Sequence, residues 1–217
     1  MQLVLLGAPG AGKGTQGELL AQEYGIPHIA TGDLLRGAMA AETPLGEAAR
    51  RYVARGELVP DEVVVGIVRE RLTAPDAEAG FILDGFPRTE AQAEDLDAFL
   101  EELGRPLTAA VLLDVARETL LARLTARRVC PQCGASFHLV NRPPKEAGRC
   151  DACGAPLVQR EDDRTDVIAR RLEVYQKETA PLVEFYARRG LLVRVPGTGT
   201  PAEILARVKA ALGEGAA

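Results

Sequence analysis

The chain has 217 residues, is 47% hydrophobic and carries a formal net charge of -5. That length and apolar content suit one globular unit with room for small insertions. The acidic balance argues against a protein that coats nucleic acid or lies on an anionic membrane, and no run of about 18 apolar residues offers a membrane span.

The first element is the apolar run QLVLLG (2–7), read as a buried strand. It is too short for the apolar region of a secretion signal and leads into glycine and lysine, so the cytosol is the expected compartment. GAPGAGKGT (7–15) follows, with a helix expected over 13–24. Strand, glycine loop, lysine and helix in that order can hold phosphate. The glycines let successive N–H groups turn inward, and Lys13 adds charge for the β and γ phosphates. The pattern G-x4-G-K is matched through Lys13, after which Gly14 intervenes before Thr15. A plain glycine turn is the alternative.

PHIAT (27–31) is the second strand, and TGDLLR (31–36) opens a helix. Thr31 can be a simple N-cap there and Arg36 a solvated charge. A helix over 61–72 puts Val64, Ile67, Val68 and Leu72 on one face. It can serve as the crossover to the third strand, which leaves about 30–59 as an insertion. FILDG (81–85) is the third strand. Asp84, at its carboxyl end and beside the phosphate loop, can hold Mg²⁺ through water. Capping the next turn is its simpler role. A Gly-Phe-Pro turn then aims Arg88 over the strand ends, with a surface ion pair as the alternative. Thr89 and Gln92 match a capping box at the start of a helix over 90–103, which groups Leu96, Phe99, Leu100 and Leu103. AAVLLDV (109–115) and LLVRV (191–195) are the fourth and fifth strands. Helices over 164–189 and 201–212 complete the set, and the tail 213–217 is expected to fray. Alternating strands and helices imply an α/β sandwich with a parallel sheet.

A second long connection, 126–163, holds all four cysteines: Cys130, Cys133, Cys150 and Cys153. Two C-x2-C knuckles can wrap one Zn²⁺ with four thiolates in a closed structural site. A segment of this size cannot build its own core, and metal is a common solution below about 40 residues. Redox chemistry fits two such pairs less well. A nucleic-acid-binding zinc ribbon is a further reading, which the acidic composition opposes. Arg123, Arg127 and Arg128 precede the cysteines. Arg160, Arg164, Arg170 and Arg171 follow, around the acidic pair Asp162–Asp163. A helix would bring Arg123 and Arg127 onto one face. Arginine's planar fork suits phosphate oxygens, although a solvated mixed-charge helix accounts for some of these residues. His28 reads as a core-edge residue and His138 as part of the cysteine-bearing segment, neither as a ligand. No internal repeat is evident.

Taken together, GAPGAGKGT (7–15), TGDLLR (31–36), ELVPD (57–61), LDGFPRTEAQ (83–92), Arg123 with Arg127, QREDD (159–163) and ARRLEVYQKETAPL (169–182) resemble the adenylate kinases of the long bacterial type, with a zinc-bearing lid. These stretches span nearly the whole chain in the family's order. The fourth metal position, Asp in some members, is Cys153 here. The resemblance implies a P-loop kinase sandwich with a five-stranded parallel sheet, an AMP-binding insertion at 30–59 and a lid at 126–163. The core is then 1–29, 60–125 and 164–217. It implies transfer of the γ-phosphoryl group of Mg·ATP to AMP, giving two ADP, by a monomer. ATP would be held by Gly10, Ala11, Gly12, Lys13, Gly14, Thr15, Arg123, Arg127, Ser136, Phe137 and Gly199. AMP would be held by Thr31, Arg36, Arg88 and Gln92 and by backbone of Glu57, Leu58, Val59, Gly85, Phe86 and Pro87. Arg160 and Arg171 would reach the phosphates as the lid closes. Lys13, Arg88, Arg127, Arg160 and Arg171 would thus be the catalytic set. A kinase for another nucleoside monophosphate is the nearest competing reading. A zinc-ribbon nucleic-acid-binding protein with an ATP switch is a more distant one, and it leaves DGFPR and the paired arginines unexplained.

Overall fold

A computed structural model describes residues 1–213. The tail expected to fray lies, beyond Gly213, outside the described residues. All five expected strands form: β1 (Gln2–Leu6), β2 (His28–Ala30), β3 (Phe81–Asp84), β4 (Ala109–Asp114) and β7 (Leu192–Pro196), the last after two short strands described below. They make one parallel sheet in the order β2-β3-β1-β4-β7. With β1 central, both sheet faces must be covered by crossover helices, which is why the strands read as unbroken apolar runs. Successive β1 side chains point to opposite faces. Val4 and Leu6 pack with α4 (Asp61–Leu72), α5 (Glu90–Glu102) and α8 (Leu182–Arg188). Leu3 and Leu5 pack with α1 (Lys13–Tyr24), α6 (Arg117–Thr125), α7 (Thr165–Val174) and α9 (Pro201–Ala211). Helix α4 buries Val64, Val68 and Leu72 with Ile67 packed beside them, the face the spacing predicts. Each fully buried leucine on these faces contributes about 2 kcal/mol.

Between β2 and α4 the chain makes a helical pair, α2 (Thr31–Ala40) and α3 (Pro44–Arg55). Between α6 and α7 it makes a two-stranded antiparallel sheet, β5 (Arg127–Val129) with β6 (Ser136–His138). Among the described residues no helix is long and apolar enough to cross a membrane.

Four local expectations change. The stretch 164–189 is not one helix: α7 gives way to a π-turn at Tyr175–Thr179, and α8 starts after Pro181. Pro181 has no N–H to continue the ladder, and Ala180 N donates to Tyr175 O instead (2.8 Å). Arg123 and Arg127 do not share a helix face. Helix α6 ends at Thr125 because pairing of Arg127 with His138, and of its neighbours with β6, claims the next residues. Thr31 is not the N-cap of α2; Ala30 is, and the Thr31 hydroxyl donates to Asp84 O (3.2 Å). Finally, Thr89 caps α5 by accepting from Gln92 N (3.2 Å), but the Gln92 side chain turns elsewhere. The complete capping box is at α9, between Thr200 and Glu203.

Candidate active site

The loop after β1 ends at Gly12, which caps α1 at φ 100° and ψ 14°, a left-handed conformation that glycine adopts without strain. No side chain caps α1, and its first turn holds no acidic residue. Its free N–H groups and the positive end of its dipole therefore face the cleft as an anion site. Lys13 Nζ donates to Gly7 O (2.7 Å) and Ala8 O (3.2 Å). Burial draws its pKa down to about 8; Asp84 opposes that shift, and Arg88, Arg171 and Arg127 add to it.

The end of β3 supplies the opposite wall. Burial pushes the Asp84 carboxyl up, but His28 and Lys13 beside it more than offset this and hold it below its ordinary value. The turn after β3 ties Arg88 Nε to Gly85 O (2.8 Å). Burial, and then Arg171, draws the Arg88 pKa down to about 10. Arg160 is also drawn down to about 10, by burial and then by Arg36 and Arg127.

Acidic residues face Arg36, Arg127, Arg160 and Arg171, whereas Arg123 donates to Ala11 O (3.3 Å) and Gly197 O (2.9 Å). Asp163 is fully buried and accepts from Arg127 Nε (2.7 Å) and Nη2 (2.5 Å) and from Arg171 Nη1 (2.9 Å). Asp162 pairs with Arg171 (3.2 Å), and Arg160 lies 3.8 Å from Asp33. A carboxylate buried like Asp163 needs such bidentate partners. It fixes two guanidinium groups against the cleft.

Two adjoining cavities, about 320 and 70 Å³, take up this space. The larger is lined by Gly10, Ala11, Gly12, Lys13, Gly14 and Thr15, by Asp84, Pro87, Arg123, Arg127 and Arg160, and by Ser136, Phe137 and Gly199. The smaller is lined by Thr31, Glu57, Val59 and Gln92. Arg36, Leu58, Gly85, Arg88 and Arg171 line both. Every nucleotide-site candidate from the sequence thus lines one cavity or both, except Phe86. Its side chain belongs to the core and is 2% exposed, so it offers only backbone.

Several residues were not legible as part of this site. His28, read as a core-edge residue, lines the larger cavity with Nε2 3.5 Å from Asp84 Oδ2. His138 lines it too, and its Nδ1 accepts from Val140 N and Asn141 N (3.1 and 3.0 Å). Asp61 receives the Gln92 amide at 2.6 Å. Asp61 closes the ELVPD stretch, but an acid following proline at a helix start is so common that nothing in the sequence points to its bond with Gln92.

The four cysteines converge away from this network. Their Sγ atoms all lie within 4.8 Å of one another, the nearest pairs at 3.4 and 3.5 Å. That is too far for disulfides and close to the ~3.8 Å edge of a tetrahedron with 2.3 Å zinc–sulfur bonds. The two knuckles are built alike: Gly134 N donates to Cys130 O (3.0 Å) and Gly154 N to Cys150 O (2.8 Å). Both belong to the short repeat C-x2-C-G-A at 130–135 and 150–155, which a reading for longer repeats passes over. The donor set fits zinc.

A helix N-terminus with its own lysine, opening onto an arginine-rich cleft at the carboxyl ends of a five-stranded parallel sheet, defines a P-loop nucleotide phosphotransferase. Comparison with known proteins narrows the class. The family model described as adenylate kinase matches residues 5–191. The adenylate kinase of Bacillus subtilis (strain 168) is 53% identical over 213 residues, 98% of each chain. That of Carboxydothermus hydrogenoformans is 52% identical over 212 residues, 98% of this chain and 99% of the relative. That of Thermodesulfovibrio yellowstonii is 54% identical over the same shares. The chain belongs to the adenylate kinase family. Its activity is the family's: it is a nucleoside monophosphate kinase that transfers phosphoryl from ATP to AMP.

Proposed function

We propose that Mg·ATP and AMP meet over the carboxyl ends of β1 and β3, and that positioning and charge stabilisation carry the γ-phosphoryl across to give two ADP. ATP lies in the larger cavity. It is held by Gly10 to Thr15, Arg123, Arg127, the Ser136–Phe137 stretch and backbone at Gly199. AMP lies in the smaller, held by Thr31, Arg36, Arg88 and Gln92 and by backbone of Glu57 to Val59 and Gly85 to Pro87. The observation that carries this reading is that Arg36, Arg88 and Arg171 border both cavities. Cations at the junction offset the repulsion of two polyanions approaching in line, and the loose transition state needs little else. No general base is required, because the AMP phosphate is already an anionic nucleophile. Asp84, kept ionised despite burial, would hold through water the magnesium that arrives with ATP, and that cation would neutralise phosphate charge.

The chain divides accordingly into a core (1–29, 60–125 and 164–217), an AMP-binding insertion (30–59) and a lid (126–163) stapled by structural zinc on Cys130, Cys133, Cys150 and Cys153. Lid closure excludes water, the competing acceptor. It also brings the lid's Arg127 and Arg160 to the phosphates, where they join Lys13, Arg88 and Arg171 of the core. The enzyme acts as a cytosolic monomer on ATP, AMP and ADP, with no nucleic-acid or membrane partner. The test is ADP formation from Mg·ATP with AMP, GMP, CMP and UMP in turn. Strong transfer confined to AMP is expected. Transfer to a pyrimidine acceptor would discard the acceptor site drawn here, and no transfer by folded, zinc-loaded protein would overturn the whole assignment.

Lys13 adds a pH signature. With its pKa drawn down to about 8, the free lysine is largely charged at pH 7 and largely neutral at pH 9. A bound triphosphate favours the charged form, so Mg·ATP binding takes up about one proton at pH 9 and far less at pH 7. Affinity therefore falls as pH rises through 8. Titration calorimetry in buffers of different ionisation enthalpy reads the uptake, and Lys13→Met should abolish it. Equal uptake at both pH values would mean that the free lysine is not shifted.

A further inference from the structure

We propose that Asp61 sets the preference for adenine over 6-oxopurines by locking the side-chain amide of Gln92 in one orientation. The proposal rests on the reading of Gln92 as the residue that contacts the AMP base.

Adenine presents an acceptor at N1 beside a donor on its 6-amino group. Hypoxanthine and guanine present a donor at N1 beside an acceptor at O6. A glutamine amide has a donor at one end and an acceptor at the other, and turning it over exchanges them. A freely turning glutamine can thus pair with either class of base. Discrimination requires neighbours that forbid one orientation.

Gln92 has such neighbours. It is 1% exposed. Its Oε1 accepts from Arg88 N (2.7 Å), and its Nε2 donates to Asp61 Oδ1 (2.6 Å). A backbone N–H can only donate and a carboxylate can only accept. Turned over, the amide would set donor against donor at Arg88 and oxygen against oxygen at Asp61, both in a buried place where unmet polar groups are costly. Asp61 is itself held. Its Oδ2 accepts from Thr89 Oγ1 (3.0 Å), and it is the first residue of α4, where the helix dipole favours a carboxylate. One proton on Nε2 and one lone pair on Oε1 are left over, enough for one edge of a base. Asp61 borders neither cavity, so it is a positioning residue that acts through Gln92.

A merely structural link between α4 and α5 would affect every acceptor alike, whereas a lock changes their ratio. The experiment measures kcat/KM for AMP and for IMP, with KM for ATP alongside, in the parent, Asp61→Ala, Asp61→Asn and Gln92→Leu. In Asp61→Ala the AMP-to-IMP ratio should fall by about tenfold or more, through the acceptor KM and with KM for ATP unchanged. Asp61→Asn keeps the side chain's size and can face Gln92 with either end of its own amide. It should relax the ratio in the same direction even if the alanine variant folds poorly. A parallel loss for both acceptors at constant ratio would overturn the lock, as would a parent that accepts IMP as readily as AMP. If Gln92→Leu leaves KM for AMP unchanged, the base contact itself is wrong and the lock falls with it.

Discussion

Arg88→Ala is expected to lower kcat by about a thousandfold or more while leaving the melting temperature within a few degrees of the parent. Arg88 borders both cavities, and its position is fixed by the bond from Nε to Gly85 O. Unlike Arg127 and Arg171, it forms no ion pair among the described residues. Burial and the nearby Arg171 draw its pKa down to about 10. Its charge is therefore under-compensated in the free protein, and a phosphoryl group in transit would satisfy it. Removing it takes away a cation that the fold does not use, so the stability change is small and the kinetic change large. Arg88→Lys keeps the charge but loses the planar fork, and should recover only part of the rate. Steady-state turnover with AMP, together with a thermal melt, checks both halves. Near-normal turnover in the alanine variant would remove Arg88 from the phosphate-positioning set.

The parts of this molecule that could be read from sequence are those whose signals are local. Unbroken apolar runs mark strands buried on both faces, and GAPGAGKGT sits between β1 and α1 as a phosphate loop must. Two C-x2-C pairs declare a shared site because thiols at that spacing can meet on one metal. What escaped was decided by partners distant in sequence. Arg127 looks like one more helical residue until Ser136–His138 folds back to pair with its strand, which depends on the first cysteine knuckle reversing the chain. Thr31 and Gln92 fit generic cap patterns, yet Asp84 and Asp61 determine where their side chains go. Asp163 was visible only as half of an acidic pair. Its role follows from complete burial between two arginines, 36 and 8 residues away. Pro181 is the exception. It was a local signal for a break in 164–189, and the run of helix formers around it obscured that.

Removing metal from the cysteine site should lower the melting temperature by about 10 °C or more, with kcat at 25 °C changed by no more than about threefold. The core of the segment is very small: Cys130, Cys150 and Phe137 are buried, with only Ala135, Ala155 and Leu157 packed against them. Its strands are three residues each, and Leu139, Val140 and Val158 are exposed rather than packed. Two of the six residues in that core are themselves among the four candidate sulfur ligands. Without a metal, little apolar burial offsets the entropy of ordering the segment. A metal held by the four thiolates would cross-link its two halves and supply what the core lacks. On the proposed reading, three of the five phosphate cations lie outside the segment, Lys13 on α1, Arg88 after β3 and Arg171 on α7, and a fourth, Arg127, is tied to Asp163 at the segment's base. Turnover should therefore survive in protein that is still folded. Ser136 and Phe137 border the larger cavity, so KM for ATP should rise more than kcat falls. Calorimetric melts before chelation, after it under reducing conditions, and after zinc is restored test this directly. An unchanged melt in the metal-free protein would show that the protein scaffold, rather than the metal, holds this segment together.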